Sequence, residues 1–279
     1  MESMTNAPYL SKNFRDGARI GHTKMYDHMF LDGLEDAYDE GRLMGSFAED
    51  CARNYQFTRT QQDEYAIKSL ENALNAQEMG LFTDEIAPVK VTKKNKEEIL
   101  ITEDQQPKRS NPEKIPTLRP AFSNDGTVTA ANSSSISDGA AALVICSQKY
   151  ADKKNLKTKA KIKGYTGHAH EPGWFTTAPI PAAKKLLELI NWSIEEVDLW
   201  EVNEAFAVVP MAFMRELKVS REKINVNGGA CSLGHPIGAS GARILVSLIN
   251  ALKQRELKKG VAAICIGGGE ALAIAIEVD

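Results

Sequence analysis

Several common functional signals are scarce or missing in this sequence. Its 279 residues include four cysteines, Cys51, Cys146, Cys231 and Cys265, and no two of them form a Cys-x-x-Cys pair. Neither a disulfide framework nor a zinc-type ligand set is therefore expected, and the usage fits a reducing, cytoplasmic compartment. Positive charge is not in excess: 34 Lys and Arg face 37 Asp and Glu, for a net charge of -3. That balance leaves no electrostatic footprint for nucleic acid. No apolar run approaches membrane-spanning length, and the opening MESMTNAPYLSKNFRDG lacks the basic and apolar regions of a secretory leader. The glycines of GHPIGASG are not followed by Gly-Lys-Ser/Thr, which excludes a P-loop. IGGGEALA runs into strand-like text where a dinucleotide fingerprint needs a helix. His168 and His170 form a pair without further ligands, so no metal site is expected.

What is present is a large apolar fraction, 43%, enough to bury a sizeable core over more than one domain. Residues 1 to about 45 show no sustained periodicity and read as an irregular segment packed on something else. Helix is expected over Ser46–Tyr55 and from Thr58 to near Gly80. There Thr58 and Gln61 make a capping box, and Tyr65, Leu70, Ala73, Leu74 and Met79 supply an apolar stripe. IAPVKV and EEILI read as short strands. Thr127–Ser147, TVTAANSSSISDGAAALVICS, reads as a loop of small polar residues entering a buried strand. From there strand and helix alternate. KAKIKGYTGHA is a strand and IPAAKKLLELI a helix with Pro181 in its first turn. Ser193 and Glu196 cap a short helix, VDLWEV is a buried strand, and a helix runs from about Asn203 to Leu217. Another helix follows Gly241, and VAAICIG and ALAIAIEV form a hairpin through GGG. The alternation describes half of a layered α/β sandwich.

The chemistry-bearing stretch is NVNGGACSLGHPIGASG, Asn225–Gly241. His235 should stand on a tight turn ahead of a buried helix, with Gly234, Gly238 and Gly241 permitting close backbone approach and Pro236 fixing the chain after the imidazole. A lone histidine is more often structural than catalytic, and only its context alters that. The context is Asn203 and Glu204 at the end of a strand, and Cys265 near the end of another, just before three glycines. Asn203, His235 and Cys265 would each then lie at a strand end or on a loop leading into a helix, where an open α/β sheet keeps its site.

NEAFA, NVNGGACSLGHPIGASGARIL and CIGGGE, in that order, resemble the three C-terminal signatures of the thiolase family of acetyl-CoA acyltransferases. MESMTNAPYL and GTVTAANSSSISDGAAAL resemble further thiolase segments, so the likeness spans essentially the whole chain. It implies an α/β fold, a layered αβαβα sandwich with its N-terminal half incomplete and a loop domain inserted. The parts would be residues 1–5 as a remnant of the first half, 6–136 as the loop domain with the coenzyme A site and oligomer contacts, 137–160 as the last strand region of the first half, and 161–279 as the second half. It also implies His235 as activator of a nucleophilic cysteine, Cys265 as the second acid/base, Asn203 as holder of an oxyanion-hole water, and Gly267 as an amide donor to the second hole. Ser134, Met44 and Phe206 would touch coenzyme A or its acyl chain, and Lys108 or Arg109 the coenzyme's phosphates. Glu204 is expected to support the site from behind. Acyl-CoA and coenzyme A would be substrates, no cofactor would be permanently bound, and the assembly would be a homodimer or homotetramer.

The family's nucleophile sits in a CASG-like sequence ahead of its GGMESMS-like motif, and this chain begins inside that motif. No CASG-like sequence occurs in it. The expectation is a start at an internal methionine, with the isolated chain inactive as an acyltransferase. Two alternatives are a noncatalytic acyl-CoA-binding remnant and a condensing enzyme of the ketoacyl synthase type. The second usually pairs its nucleophile with two histidines, which Asn203 and Cys265 do not match. Leu43 where short-chain thiolases have His, Trp174 and Phe175 where they place Met, and Glu270 with Ala271 after CIGGG depart from the pattern. Those departures leave acyl-chain length open.

Overall fold

The computed structural model describes residues 1–12, 15, 17 and 20–278. The N-terminal stretch makes small local pairings: β1 (Glu2–Ser3), then the antiparallel β2 (Tyr9–Ser11) and β3 (Met25–Asp27). The irregular segment expected over 1–45 falls partly on residues 13, 14, 16, 18 and 19, which lie outside the described residues. Helix α1 (Met44–Tyr55) ends where Gln56 turns left-handed at φ 54°. Helix α2 (Arg59–Glu78) starts at the expected capping box. The Gln61 amide donates to Thr58 Oγ1 at 3.2 Å, and the Thr58 amide to Gln61 Oε1 at 3.0 Å. Strands β4 (Val89–Thr92) and β5 (Glu98–Ile101) form an exposed hairpin, followed by the short α3 (Gln106–Arg109) and β6 (Asp138–Gly139), which pairs with β1.

Beyond α4 (Gln148–Lys154), a four-stranded sheet is built from β7 (Lys161–Ala169), β8 (Leu199–Val202), β9 (Lys259–Ile266) and β10 (Glu270–Glu277), in the order β7-β10-β9-β8. β9 and β10 are the expected glycine-linked hairpin, and β8 runs parallel to β9. Alternation along β9 separates two cores. Val261, Ala263 and Cys265 face the layer containing α1, α5 (Pro179–Ile190) and α6 (Val208–Leu217). Ala262 and Ile264 face α8 (Ile237–Gln254), whose Ile244, Leu248 and Leu252 are buried against them. The short α7 (Ala230–Leu233) leads into the turn that carries His235. Among the described residues no helix is long and apolar enough to cross a membrane.

Four local expectations need correction. Residues 140–146 form no strand: Val144 is fully exposed and Ile145 is 70% exposed. A strand pattern becomes a strand only where a neighbouring backbone completes its ladder, and β6 stops at Gly139. Ser193 and Glu196 do make reciprocal cap hydrogen bonds, at 2.8 and 3.3 Å, yet what they close is a turn leading directly into β8. The helix expected from Asn203 starts at Val208, because the backbone of 203–207 bonds elsewhere: Asn203 N to Ala263 O and Ala207 N to Asn132 O. Of the three glycines near His235, Gly234 has a positive φ of 90° and Gly238 admits Met1, whose carbonyl oxygen would stand 3.1 Å from an added Cβ, whereas Gly241 lies within α8 with nothing close to it.

Removing the α2 cap with Thr58→Ala should lower unfolding free energy by about 1 kcal/mol. Leu248→Ala, which opens the α8 face of the sheet, should cost about 2–5 kcal/mol. Urea denaturation of the two variants checks the ranking.

Candidate active site

The site is assembled at the C-terminal ends of β8 and β9 around a buried acid. Glu204, two residues past β8, is fully buried. Its carboxylate accepts hydrogen bonds from Tyr65 Oη (2.9 Å), Ser69 Oγ (2.7 Å), Asn225 Nδ2 (2.8 Å) and the Cys231 amide (3.0 Å). Gly229 packs so closely on this carboxyl that a Cβ there would overlap it. Asn225 also closes onto β8, accepting from Val202 N and donating to Val202 O, both at 2.8 Å. Glu204 therefore ties α2 and the loop before His235 to the end of β8. Its role as support was legible from its place beside Asn203. Its donors Tyr65 and Ser69 were not, since they lie some 135 residues earlier in the chain.

His235 is held from three sides. Its amide donates to Ser135 O at 3.3 Å. Its Nδ1 is 2.5 Å from Ser240 Oγ, and that hydroxyl donates to Pro236 O at 2.9 Å. With the serine hydrogen given to the Pro236 carbonyl, the network assigns the ring proton to Nδ1 and the lone pair to Nε2. Asn203 Nδ2 lies 3.3 Å from that Nε2, the geometry of an amide donating to an acceptor. Asn203 Oδ1 is buried without a partner. The sequence reading missed Ser240. Its signal is a hydroxyl in the first turn of the helix that follows the histidine.

Cys265 is buried in the penultimate position of β9. Asn203 N bonds to Ala263 O on that neighbouring strand at 2.9 Å. Cys265 thus lies about two residues, roughly 7 Å of strand rise, past the point where Asn203 docks. Gly267 follows in the hairpin turn, where an added Cβ would stand 3.0 Å from Met44 Sδ. That contact brings the start of α1 against the turn after Cys265. The small-residue loop joins the other motifs: Ser134 N donates to Ala205 O at 3.0 Å, and Phe206, 8% exposed, sets its ring edge-on to Phe122 at 6.1 Å. Lys108 and Arg109 sit on the exposed α3 and are engaged locally, Lys108 with Glu103 at 2.6 Å and Arg109 with Gln105 at 2.8 Å. The structure links Asn203 to His235 directly, and does not draw Lys108 or Arg109 into their hydrogen-bond network.

Two family models cover nearly the whole chain, the thiolase N-terminal domain over residues 1–149 and the thiolase C-terminal domain over 156–278. The chain belongs to the thiolase family. It is 48% identical to acetyl-CoA acetyltransferase 2 of Arabidopsis thaliana, an alignment that covers all of this chain and 69% of the relative. The crystal structure of the Bacillus anthracis acetyl-CoA acetyltransferase superposes with a TM-score of 0.95 at 43% identity, covering 100% of this chain and 70% of that one. The Acat5 thiolase from Ascaris suum, solved in complex with coenzyme A, superposes at 0.89 with 42% identity and the same coverage. The α/β thiolase fold follows, over about 70% of the length of these relatives.

Burial also sets the electrostatics of the site, and it pushes the Cys265 thiol up to about 12. The nearby Cys51 thiol adds to the rise, and a backbone hydrogen bond opposes it only in part. Cys265 is therefore a thiol at neutral pH. Burial, reinforced by the Arg243 cation, pushes His235 down to about 4. Behind it Glu201, buried on β8 with Arg243 Nη1 3.7 Å away, is driven up to about 8 by burial.

Folded His235 binds its proton less readily than an unfolded histidine of pKa 6.5. Its contribution to stability is complete above 6.5 and is lost as pH falls towards 4. Glu201 has the opposite sign, since its stabilising contribution is complete below 4.5 and lost as pH rises through 8. The two oppose each other between 4.5 and 6.5, so the interval from 6.5 to 8 isolates Glu201. Glu201→Gln should flatten the decline in unfolding free energy over that interval, and His235→Asn should leave it unchanged. Urea midpoints at pH 6.5 and 8 decide between these outcomes.

Proposed function

We propose that this chain carries the acid–base machinery of a thiolase-type acyl-CoA C-acyltransferase, acting in thiolysis of a 3-ketoacyl-CoA or the reverse Claisen condensation. One arrangement carries the reading: His235 Nε2 lies 3.3 Å from Asn203 Nδ2 and Nδ1 lies 2.5 Å from Ser240 Oγ, whose bond to Pro236 O assigns the ring proton to Nδ1. That tautomer can accept a proton from an incoming thiol without rearranging.

In thiolysis, Nε2 would take the proton of the nucleophilic cysteine that the family resemblance implies, and the thiolate would attack the 3-keto carbonyl. Cleavage of the carbon–carbon bond leaves an acyl thioester on the enzyme and an enolate of the shortened acyl-CoA. Cys265, held as a thiol by burial, is suited to protonate the α-carbon of that enolate. The Cys265 thiolate so formed then removes the proton of free coenzyme A, whose sulfur attacks the acyl-enzyme and expels the nucleophile. Asn203 would hold the water of the first oxyanion hole, and the Gly267 amide would donate to the second. Met44, Phe206 and Ser134 would line the acyl and pantetheine path, with Lys108 or Arg109 reaching the phosphates. Coenzyme A is then a substrate, with no permanently bound cofactor. A homo-oligomer, residues 6–136 as the inserted loop domain and a cytoplasmic location complete the reading, the last supported by four free cysteines.

The second reading is a protein that binds acyl-CoA without turnover. A fusion that places a CASG-containing segment from a relative ahead of residues 1–279 separates the two. Thiolysis by the fusion, reduced about 10²–10⁴-fold in kcat by His235→Ala with KM changed only a few-fold, is the expected result. Unchanged turnover in the variant would remove His235 from the chemistry. Coenzyme A binding by a fusion that never turns over would favour the binding protein.

A further inference from the structure

A recess of about 270 Å³ lies between α2, the turn at residues 221–223 and the end of α8, lined by Lys68, Asn72, Arg221, Glu222, Val226 and Arg255. Three cationic groups thus face one carboxylate, and among the described residues none of the three is ion-paired to Glu222. Lys68 pairs with Glu71 at 3.4 Å on the open surface, an interaction worth little in water. Arg255 bonds only to neutral oxygens, Asn227 Oδ1 at 2.8 Å and Ala251 O at 3.4 Å. Arg221 is the most telling. Its guanidinium lies over the Tyr65 ring at 4.4 Å and its Nη1 donates to Ile224 O at 2.6 Å, yet Nε and Nη2 are shielded from water with no hydrogen-bond partner. Those two nitrogens form the edge of the guanidinium that matches two oxygens of an oxyanion. Leaving charged donors unsatisfied is costly, so an anion in the recess would lower the energy of this buried cation.

We propose that this recess is a binding site for a compact oxyanion of the phosphoryl type, seated between Lys68 and Arg255 with the Arg221 guanidinium behind it in the wall. Convergence of three cations from three segments suits a tetrahedral group with several charged oxygens. The three cations outnumber the single carboxylate of Glu222, so the net positive charge of the recess favours a dianion over a singly charged anion. At roughly 30 Å³ per water the recess has room for a phosphoryl group and several waters. Arg221 stacks on the Tyr65 ring whose hydroxyl binds Glu204, so an occupant would also brace the Glu204 network. The site is independent of any acyltransfer chemistry and stands or falls separately from it.

Calorimetric titration of the 279-residue chain with inorganic phosphate, and separately with adenosine monophosphate, tests this. Saturable 1:1 binding in the millimolar range or tighter is expected, weakened at least tenfold in Lys68→Gln/Arg255→Gln, together with a phosphate-dependent rise in thermal midpoint that the double variant lacks. Equal affinities assign the site to a free phosphate, and tighter binding of the nucleotide assigns it to a phosphate carried on an organic group. The exposed Lys68→Gln single variant, expected to weaken binding at least threefold, serves if the double variant does not fold. Absence of saturable binding at tens of millimolar, or undiminished binding in the variants, would overturn the proposal.

Discussion

A carboxylate without access to water must be fully satisfied by donors or it destabilises whatever buries it, and Glu204 meets that condition with four. Its donors come from α2, from Asn225 and from the amide of Cys231. Hydrogen bonds to a charged acceptor contribute about 1.5–3 kcal/mol each, more than neutral ones. Because a charge cannot slide along a packed surface as an apolar side chain can, the network sets the loop before His235 in a single register against β8. Apolar packing holds α8 to the sheet, but it leaves the histidine turn to this polar node. Gly229 is required there because any side chain would displace the acid itself.

The same burial governs the chemistry. His235 is held neutral and Cys265 is held as a thiol, both because a low-dielectric surrounding disfavours the charged form. The resting site is therefore uncharged at its two proton-handling groups. A base with a depressed pKa is weak in isolation, yet it becomes competent when the product is an imidazolium beside a thiolate, since opposite charges attract strongly in such surroundings. On the proposed acyltransfer reading, such a site would become charged only when substrate supplies the counter-charge.

The sequence allowed much of this to be read and was silent on the rest for identifiable reasons. Local signals carried α2, because the Thr58 cap and the apolar stripe agree, and they carried the β9–β10 hairpin, because two apolar runs flank three glycines. Asn203 and His235 were legible as motif residues, and Ser240 could have been found from its place in the first turn of α8. Tyr65 and Ser69 could not. Their function depends on a contact across more than a hundred residues that leaves no local trace. The Ala140–Cys146 stretch misled because its pattern reports what the segment can pair with, whereas a strand exists only where a partner does. The raised pKa of Cys265 was illegible for a related reason: the layer of α1 that helps to dehydrate the thiol leaves no trace beside it in the sequence.

Glu201 and Arg243 show where stability and function come apart. Their polar atoms are buried 3.7 Å apart with neither Glu201 Oε2 nor Arg243 Nη1 finding a hydrogen-bond partner, and burial drives the acid towards neutrality. A hydrophobic pair of similar volume would often serve the core as well or better. What such a pair could not do is place a cation near the imidazole, where Arg243 adds to the effect of burial in keeping His235 unprotonated. The imperfectly satisfied Glu201–Arg243 contact thus makes physical sense as the electrostatic back wall of the histidine, helping to keep the imidazole neutral.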